Sequence, residues 1–129
     1  MKRWSTGIVV AAVAAALAAL VVAPAGMAKR GDVLVRGTCT KSSTSKLKLS
    51  EENGRIEVEF EVDQNRNGVR WLVTISRNGT RIARMTRVTR PPSGSFEARL
   101  VTANRPGRDV VAARAVSRSG EVCTARASF

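Results

Sequence analysis

From Arg55 to Asp63 the apolar residues Ile56, Val58, Phe60 and Val62 alternate with Glu57, Glu59 and Glu61. In an extended chain a period of two puts all four apolar side chains on one face, whereas a helix would scatter them around its axis. The segment therefore reads as a strand with one face buried. Upstream, Leu47 and Leu49 alternate with Lys46 and Lys48, and Asn53-Gly54 between the two runs is the preferred pair for a two-residue hairpin turn. A tight turn there pairs Leu49 with Val58 and Leu47 with Phe60, and sets Lys48 opposite Glu59 and Lys46 opposite Glu61. A register two residues shorter keeps the same faces, so the alternation fixes parity and leaves the loop length open.

The rest of the chain repeats this grammar. Val69 to Arg77 and Thr80 to Thr89 flank Asn78-Gly79, and Asp109 to Arg118 and Glu121 to Ala127 flank Ser119-Gly120, which would set Val116 opposite Cys123. Ser95 to Thr102 alternates Phe96, Ala98 and Leu100 with Glu97 and Arg99, and Val33 to Thr40 opens the set. About eight short strands separated by turn signals predict an all-β fold, an antiparallel sandwich or barrel. One stretch competes: Arg81, Arg84, Arg87 and Arg90 recur every three residues with Ile82, Met85 and Val88 in step, which on a helix is a basic stripe beside an apolar one. The β-branched Thr80, Ile82, Thr86, Val88 and Thr89 favour a strand. A regular strand would send Arg81 and Arg87 to one face and Arg84 and Arg90 to the other.

Trp4 to Ala28 carries no charge, follows Lys2 and Arg3, and is almost entirely Ala, Val, Leu and Ile between Ile8 and Val22. This is the pattern of a secretory leader, and Ala23-Pro24-Ala25 and Gly26-Met27-Ala28 offer small-x-small cleavage sites. The competing reading is a retained membrane anchor, which needs about 20 apolar residues; Pro24 falls where a spanning helix would continue. Cleavage after Ala28 leaves residues 29–129 as a single secreted domain with no membrane span. Its two cysteines, Cys39 and Cys123, are expected to form a disulfide in an oxidising compartment.

Cys39-Thr-Lys-Ser-Ser, Lys46-Leu-Lys-Leu, Gly54-Arg-Ile-Glu-Val-Glu-Phe-Glu-Val-Asp-Gln-Asn-Arg, Pro92-Ser-Gly-Ser-Phe, Asn104-Arg-Pro-Gly and Gly120-Glu-Val-Cys together resemble a group of small secreted proteins of high-GC Gram-positive bacteria. The resemblance covers nearly all of residues 29–129. It implies an immunoglobulin-like or fibronectin-like sandwich outside the cell membrane, and it carries no activity or functional residue across. Members of the group often have Trp where Ser45 stands here.

Candidate chemistry is sparse. The chain has no His, which removes the usual imidazole base and a common metal ligand. Ser93-Gly94-Ser95 lacks the surroundings of a nucleophile elbow and follows Pro91-Pro92, so it reads as loop. Glu57, Glu59 and Glu61 share one strand face, but acid-base work on a glycoside needs a desolvated carboxyl in a cleft, and lysines are expected opposite them. Asp63, Asn65 and Asn67, with Gly68, match the start of a calcium loop. However, Thr74 stands where the bidentate Glu belongs and the flanks are strands, so a polar turn explains the same residues. Asn78-Gly79-Thr80 is a formal glycosylation acceptor better explained as a hairpin turn. Trp71 shares the phase of Val69, Val73 and Ile75 and reads as core.

Charge is the feature that points outward. Residues 29–63 hold seven basic and seven acidic side chains, whereas residues 64–129 hold thirteen Arg and three acids. Arginine forks suit phosphate and carboxylate, and the scarcity of aromatics argues against nucleic acid. The expected function is a secreted, non-enzymatic binding module, without cofactor or metal, whose Arg77, Arg81, Arg84, Arg87 and Arg90 attract an anionic cell-envelope polymer. The alternative is a protein-protein module, using strand edges or the loop from Arg90 to Ser95, in which the charge is incidental.

Overall fold

The computed structural model of the chain describes residues 31–129. The expected leader, residues 1–28, lies outside the described residues, as do Lys29 and Arg30. Nine strands follow in order: β1 (Val33–Arg36), β2 (Thr38–Cys39), β3 (Thr44–Glu52), β4 (Arg55–Asp63), β5 (Arg70–Arg77), β6 (Thr80–Val88), β7 (Ser95–Ala103), β8 (Val110–Ser117) and β9 (Val122–Ser128). They form two antiparallel sheets, β1-β3-β4-β7 and β2-β9-β8-β5-β6. No helix among the described residues is long and apolar enough to cross a membrane. The expected antiparallel sandwich is thus what the chain forms. Here β3 returns directly as β4 within one sheet and β4 leaves for the other as β5, so that β3-β4-β7 packs on β9-β8-β5-β6 in the strand order of an immunoglobulin-like sandwich.

The alternation decides what is buried. Leu47, Leu49, Ile56, Val58, Phe60, Val62 and Ala98 from the four-stranded sheet meet Trp71, Val73, Ile75, Val111, Ala115 and Cys123 from the other, all fully buried. The inner faces of β8 and β9 are mostly alanine, and this small-residue surface leaves room for the large side chains of β4 and β5. Trp71 takes the centre, with its ring 5.8 Å from that of Phe96 and its Nε1 donating to Gln64 Oε1 at 3.1 Å.

The first hairpin has the expected register: Leu49 pairs with Val58, Leu47 with Phe60, Lys48 with Glu59 and Lys46 with Glu61. The third does not. Ser117 N donates to Glu121 O at 2.8 Å, closing a three-residue loop with Gly120 at φ 90°, so Ala115, and not Val116, faces Cys123. That one-residue slip buries Glu121, whose carboxylate accepts from Ser43 N at 3.1 Å and from Ser43 Oγ. A buried carboxylate needs such donors, and a two-residue loop would have placed Glu121 opposite Arg118.

Val33 to Thr40 is also not one strand. It breaks at Gly37, where the chain leaves the four-stranded sheet as β1 and joins the five-stranded sheet as β2. Gly37 N donates to Ser45 O at 2.9 Å, and a Cβ on Gly37 would lie 2.2 Å from Ser45 Oγ and 2.5 Å from Thr124 O. Only glycine lets the chain pass that closely between β3 and β9. The crossover places Cys39 directly opposite Cys123, and the two form the expected disulfide, with Cα atoms 4.0 Å apart.

Candidate anion-binding face

Of the five arginines singled out in the sequence, the structure keeps two together on an open surface. Arg81 and Arg84 belong to one face because β6 carries a bulge: Ile75 pairs with Ala83 but Ser76 with Arg81, leaving Ile82 unmatched. The extra residue resets the alternation. A spacing of three, which in a regular strand would split this pair, therefore puts both on the outer face of the five-stranded sheet.

The other three are engaged elsewhere. Arg77 Nη1 donates to Thr102 Oγ1 at 2.8 Å and to Ala103 O at 3.0 Å, and its Nε lies 4.0 Å from the buried carboxylate of Asp109. It ties β5 to β7 across the sandwich edge. Arg87 falls in the inward phase opposite Trp71 and turns along the edge to donate to Glu97 O at 3.2 Å and Thr86 O at 3.0 Å. Together with Arg90 it lines a crevice shared with Glu61 and Glu97, so that site is of mixed charge.

What joins Arg81 and Arg84 comes from other strands. Because β5 lies between β6 and β8, and β8 lies beside β9, the pairing aligns Arg84, Thr74, Arg114, Thr124 and Thr38 in one row across all five strands. The next row is Arg81, Ser76, Ala112 and Arg126. Rows lie roughly 7 Å apart and neighbouring strands about 4.8 Å apart. Between Arg81, Arg114 and Arg126 a trough of about 790 Å³ opens, with Arg36 at its rim where the chain crosses between sheets. Its lining includes four arginines and no carboxylate. Across the whole outer phase of these strands Arg70, Arg81, Arg84, Arg114 and Arg126 stand without an acidic residue. None of these five, nor Arg36, makes an ion pair among the described residues.

The opposite face of the molecule is ion-paired. Lys46 reaches Glu61 at 3.5 Å, Lys48 reaches Glu59 at 3.8 Å and Asp32 at 3.6 Å, and Arg99 reaches Glu57 at 2.6 Å and Glu52 at 3.1 Å. The Arg99 hydrogen bond, reinforced by contacts with Glu52 and Glu59, holds Glu57 down at about 2. Glu52 and Glu59 are pushed up, each first by its hydrogen bond to Glu57 and then by burial. The signs are opposite. The Glu57 contribution to stability is present above the ordinary carboxylate range and lost as pH falls toward 2, whereas that of Glu52 and Glu59 is present at low pH and lost as they ionise. Arg99→Met is expected to return Glu57 toward the ordinary carboxylate range in an NMR titration of the side-chain carboxyls; a Glu57 that stayed near 2 would assign the effect to its two Glu neighbours. Glu59 stands on the open outer surface of the sheet, not in a cleft of the kind glycoside chemistry requires.

The remaining sequence candidates serve as turns. Asp63 Oδ1 accepts from Asn65 N at 3.0 Å, and Gln64 N donates to Gly94 O at 3.0 Å, so the calcium-like loop closes on itself and packs against the Ser93-Gly94-Ser95 turn. A Cβ on Gly94, at φ 68°, would lie 2.2 Å from Arg66 N. Asn78-Gly79 forms the β5–β6 turn, and Asn78 Oδ1 accepts from Val110 N at 2.7 Å.

Arg36, Arg114 and Arg126 are the site residues that sequence reasoning passed over. The signal was present, since Arg114 and Arg126 alternate with buried alanines in the outward phase of their strands. Their grouping depends on which strands are neighbours. No protein-family model, curated protein or solved structure matches this chain.

Proposed function

We propose that the protein is an exported, non-enzymatic binding module that holds an anionic polymer of the cell envelope on the outer face of its five-stranded sheet. The observation that carries this reading is the trough bordered by Arg36, Arg81, Arg114 and Arg126, with no carboxylate in its lining. A surface whose charge were merely compositional would intersperse its acids, as the opposite sheet does with Glu52, Glu57, Glu59 and Glu61 among Lys46, Lys48 and Arg99. Export is supported by the leader pattern ahead of residue 29 and by a disulfide of the kind that persists outside the cytoplasm. Unpaired like charges held on a rigid sheet raise the local potential and attract polyanions without any further order in the ligand.

The test is retention of the exported, oxidised protein on isolated cell envelope. Four phosphate contacts predict that affinity drops roughly 50-fold between about 50 and 200 mM salt, through counterion release. Arg81→Ser/Arg84→Ser/Arg114→Ser should bind as weakly at low salt as the native protein does at high salt. Binding indifferent to both salt and the triple substitution would point instead to a protein partner held by another surface.

A further inference from the structure

We infer that the trough is built for one chemical class of polyanion, an acyclic polyol phosphodiester chain; this rests on the binding-module reading above. Four features narrow the ligand. First, every cation on the face is arginine, whose planar fork takes two oxygens of one anionic group, and none is lysine. Second, the guanidinium groups are interleaved with hydroxyls: Thr74 lies between Arg84 and Arg114 in one row, and Ser76 stands beside Arg81 in the next. Each hydroxyl both donates and accepts, so the face offers forks for charged oxygens and hydroxyls for hydroxyls at the strand spacing.

Third, the face has no aromatic side chain. Phe60, Trp71, Phe96 and Phe129, the aromatics among the described residues, are all buried. A nucleic acid would forgo the stacking that holds single strands on their binding proteins, and a pyranose chain would find no ring to lie against. A backbone without rings loses nothing by this. Fourth, the surface is concave: Thr74, Ser76 and Ala112 are half-buried on the floor while Arg81, Arg114 and Arg126 stand exposed at its sides. A thin flexible chain reaches the floor. The flat surface of a bilayer does not, so a polymer is favoured over a phosphoglycerol lipid headgroup of the same chemistry. The row spacing of roughly 7 Å is a distance that successive phosphates of a short polyol repeat can span.

The experiment compares four probes against the exported, disulfide-bonded protein at fixed salt: poly(glycerol phosphate), polygalacturonate and oligothymidylate of equal charge number, and phosphatidylglycerol vesicles. Poly(glycerol phosphate) is expected to bind about tenfold more tightly than either other polymer, and Arg114→Lys, which keeps the charge and loses the fork, to weaken it by about fivefold. Arg90→Ser/Arg108→Ser, which removes two charges elsewhere, should leave it within about twofold. Equal affinity for all three soluble polymers, or no effect of Arg114→Lys, overturns the phosphodiester assignment while leaving salt-dependent envelope binding intact. Preference for the vesicles overturns the polymer as occupant. Loss of salt-dependent binding to envelope as well as to every probe would sink the binding-module reading itself.

Discussion

Cys39→Ala/Cys123→Ala is expected to lower the stability of the protein by about 4.5 kcal/mol, the chain-entropy value for releasing a closed loop of this size. The bridge spans 84 positions of sequence, nearly the whole described chain. For a domain of this length the loss corresponds to a fall in melting temperature of roughly 20 °C or more. The local structure adds to the effect. Strand β2 is two residues long and is held to β9 by the disulfide, by Thr40 N to Val122 O at 2.9 Å and by Val122 N to Thr40 Oγ1 at 2.9 Å. Thermal unfolding of the native and double-Ala proteins, followed by circular dichroism, measures the difference directly. A shift of only a few degrees would show that the unfolded chain gains little freedom when the bridge is removed.

Trp71→Ala is expected to cost about 3 to 5 kcal/mol, the range for emptying a large aromatic site in a packed core. Trp71 is fully buried, makes a tilted ring contact with Phe96 and caps Gln64 with its indole N–H. The alanines of β8 and β9 have no bulk with which to fill the space. Trp71→Phe separates the contributions: most of the apolar area is kept, and the lost hydrogen bond should cost about 1 kcal/mol. Urea unfolding of the three proteins supplies the comparison. Equal losses for Ala and Phe would mean that the hydrogen bond to Gln64 outweighs the packing.

These two effects bear on the proposed function because the arginine-rich face is the back of the same sheet. Trp71, Val73 and Ile75 point inward from β5 while Thr74 and Ser76 point outward into the trough. The core therefore fixes the rows from which the arginines project. Conversely, substitutions among Arg81, Arg84, Arg114 and Arg126 touch no buried contact and should leave the fold unchanged, so losses in their binding can be read as losses of charge.

Much of this architecture was legible in local sequence. Period two assigns each side chain to the core or to solvent, and it did so correctly for β3, β4, β5 and β7. Asn53-Gly54 and Asn78-Gly79 demand the positive φ that two-residue hairpin turns use, so these turns and the first register followed. The failures came where local pattern was overruled by a distant partner. Ser119-Gly120 offers the same kind of signal, yet the buried carboxylate of Glu121 selects a longer loop by taking its hydrogen bonds from Ser43, 78 positions away. Val33 to Thr40 reads as one strand; that Gly37 is a crossing between sheets is decided by its tight approach to Ser45 and Thr124.

The sequence by itself thus determined the fold class, the inward and outward phase of most strands, the disulfide and the excess of arginine in residues 64–129. Only the tertiary structure decided where that charge goes. Alternation is a property of one strand and says nothing about which strand lies beside it, whereas the trough needs β6, β5, β8 and β9 in that lateral order and a bulge at Ile82 to turn Arg81 outward. Strand order is set by which inner faces pack together most densely, and that is a comparison among whole surfaces that no single segment contains.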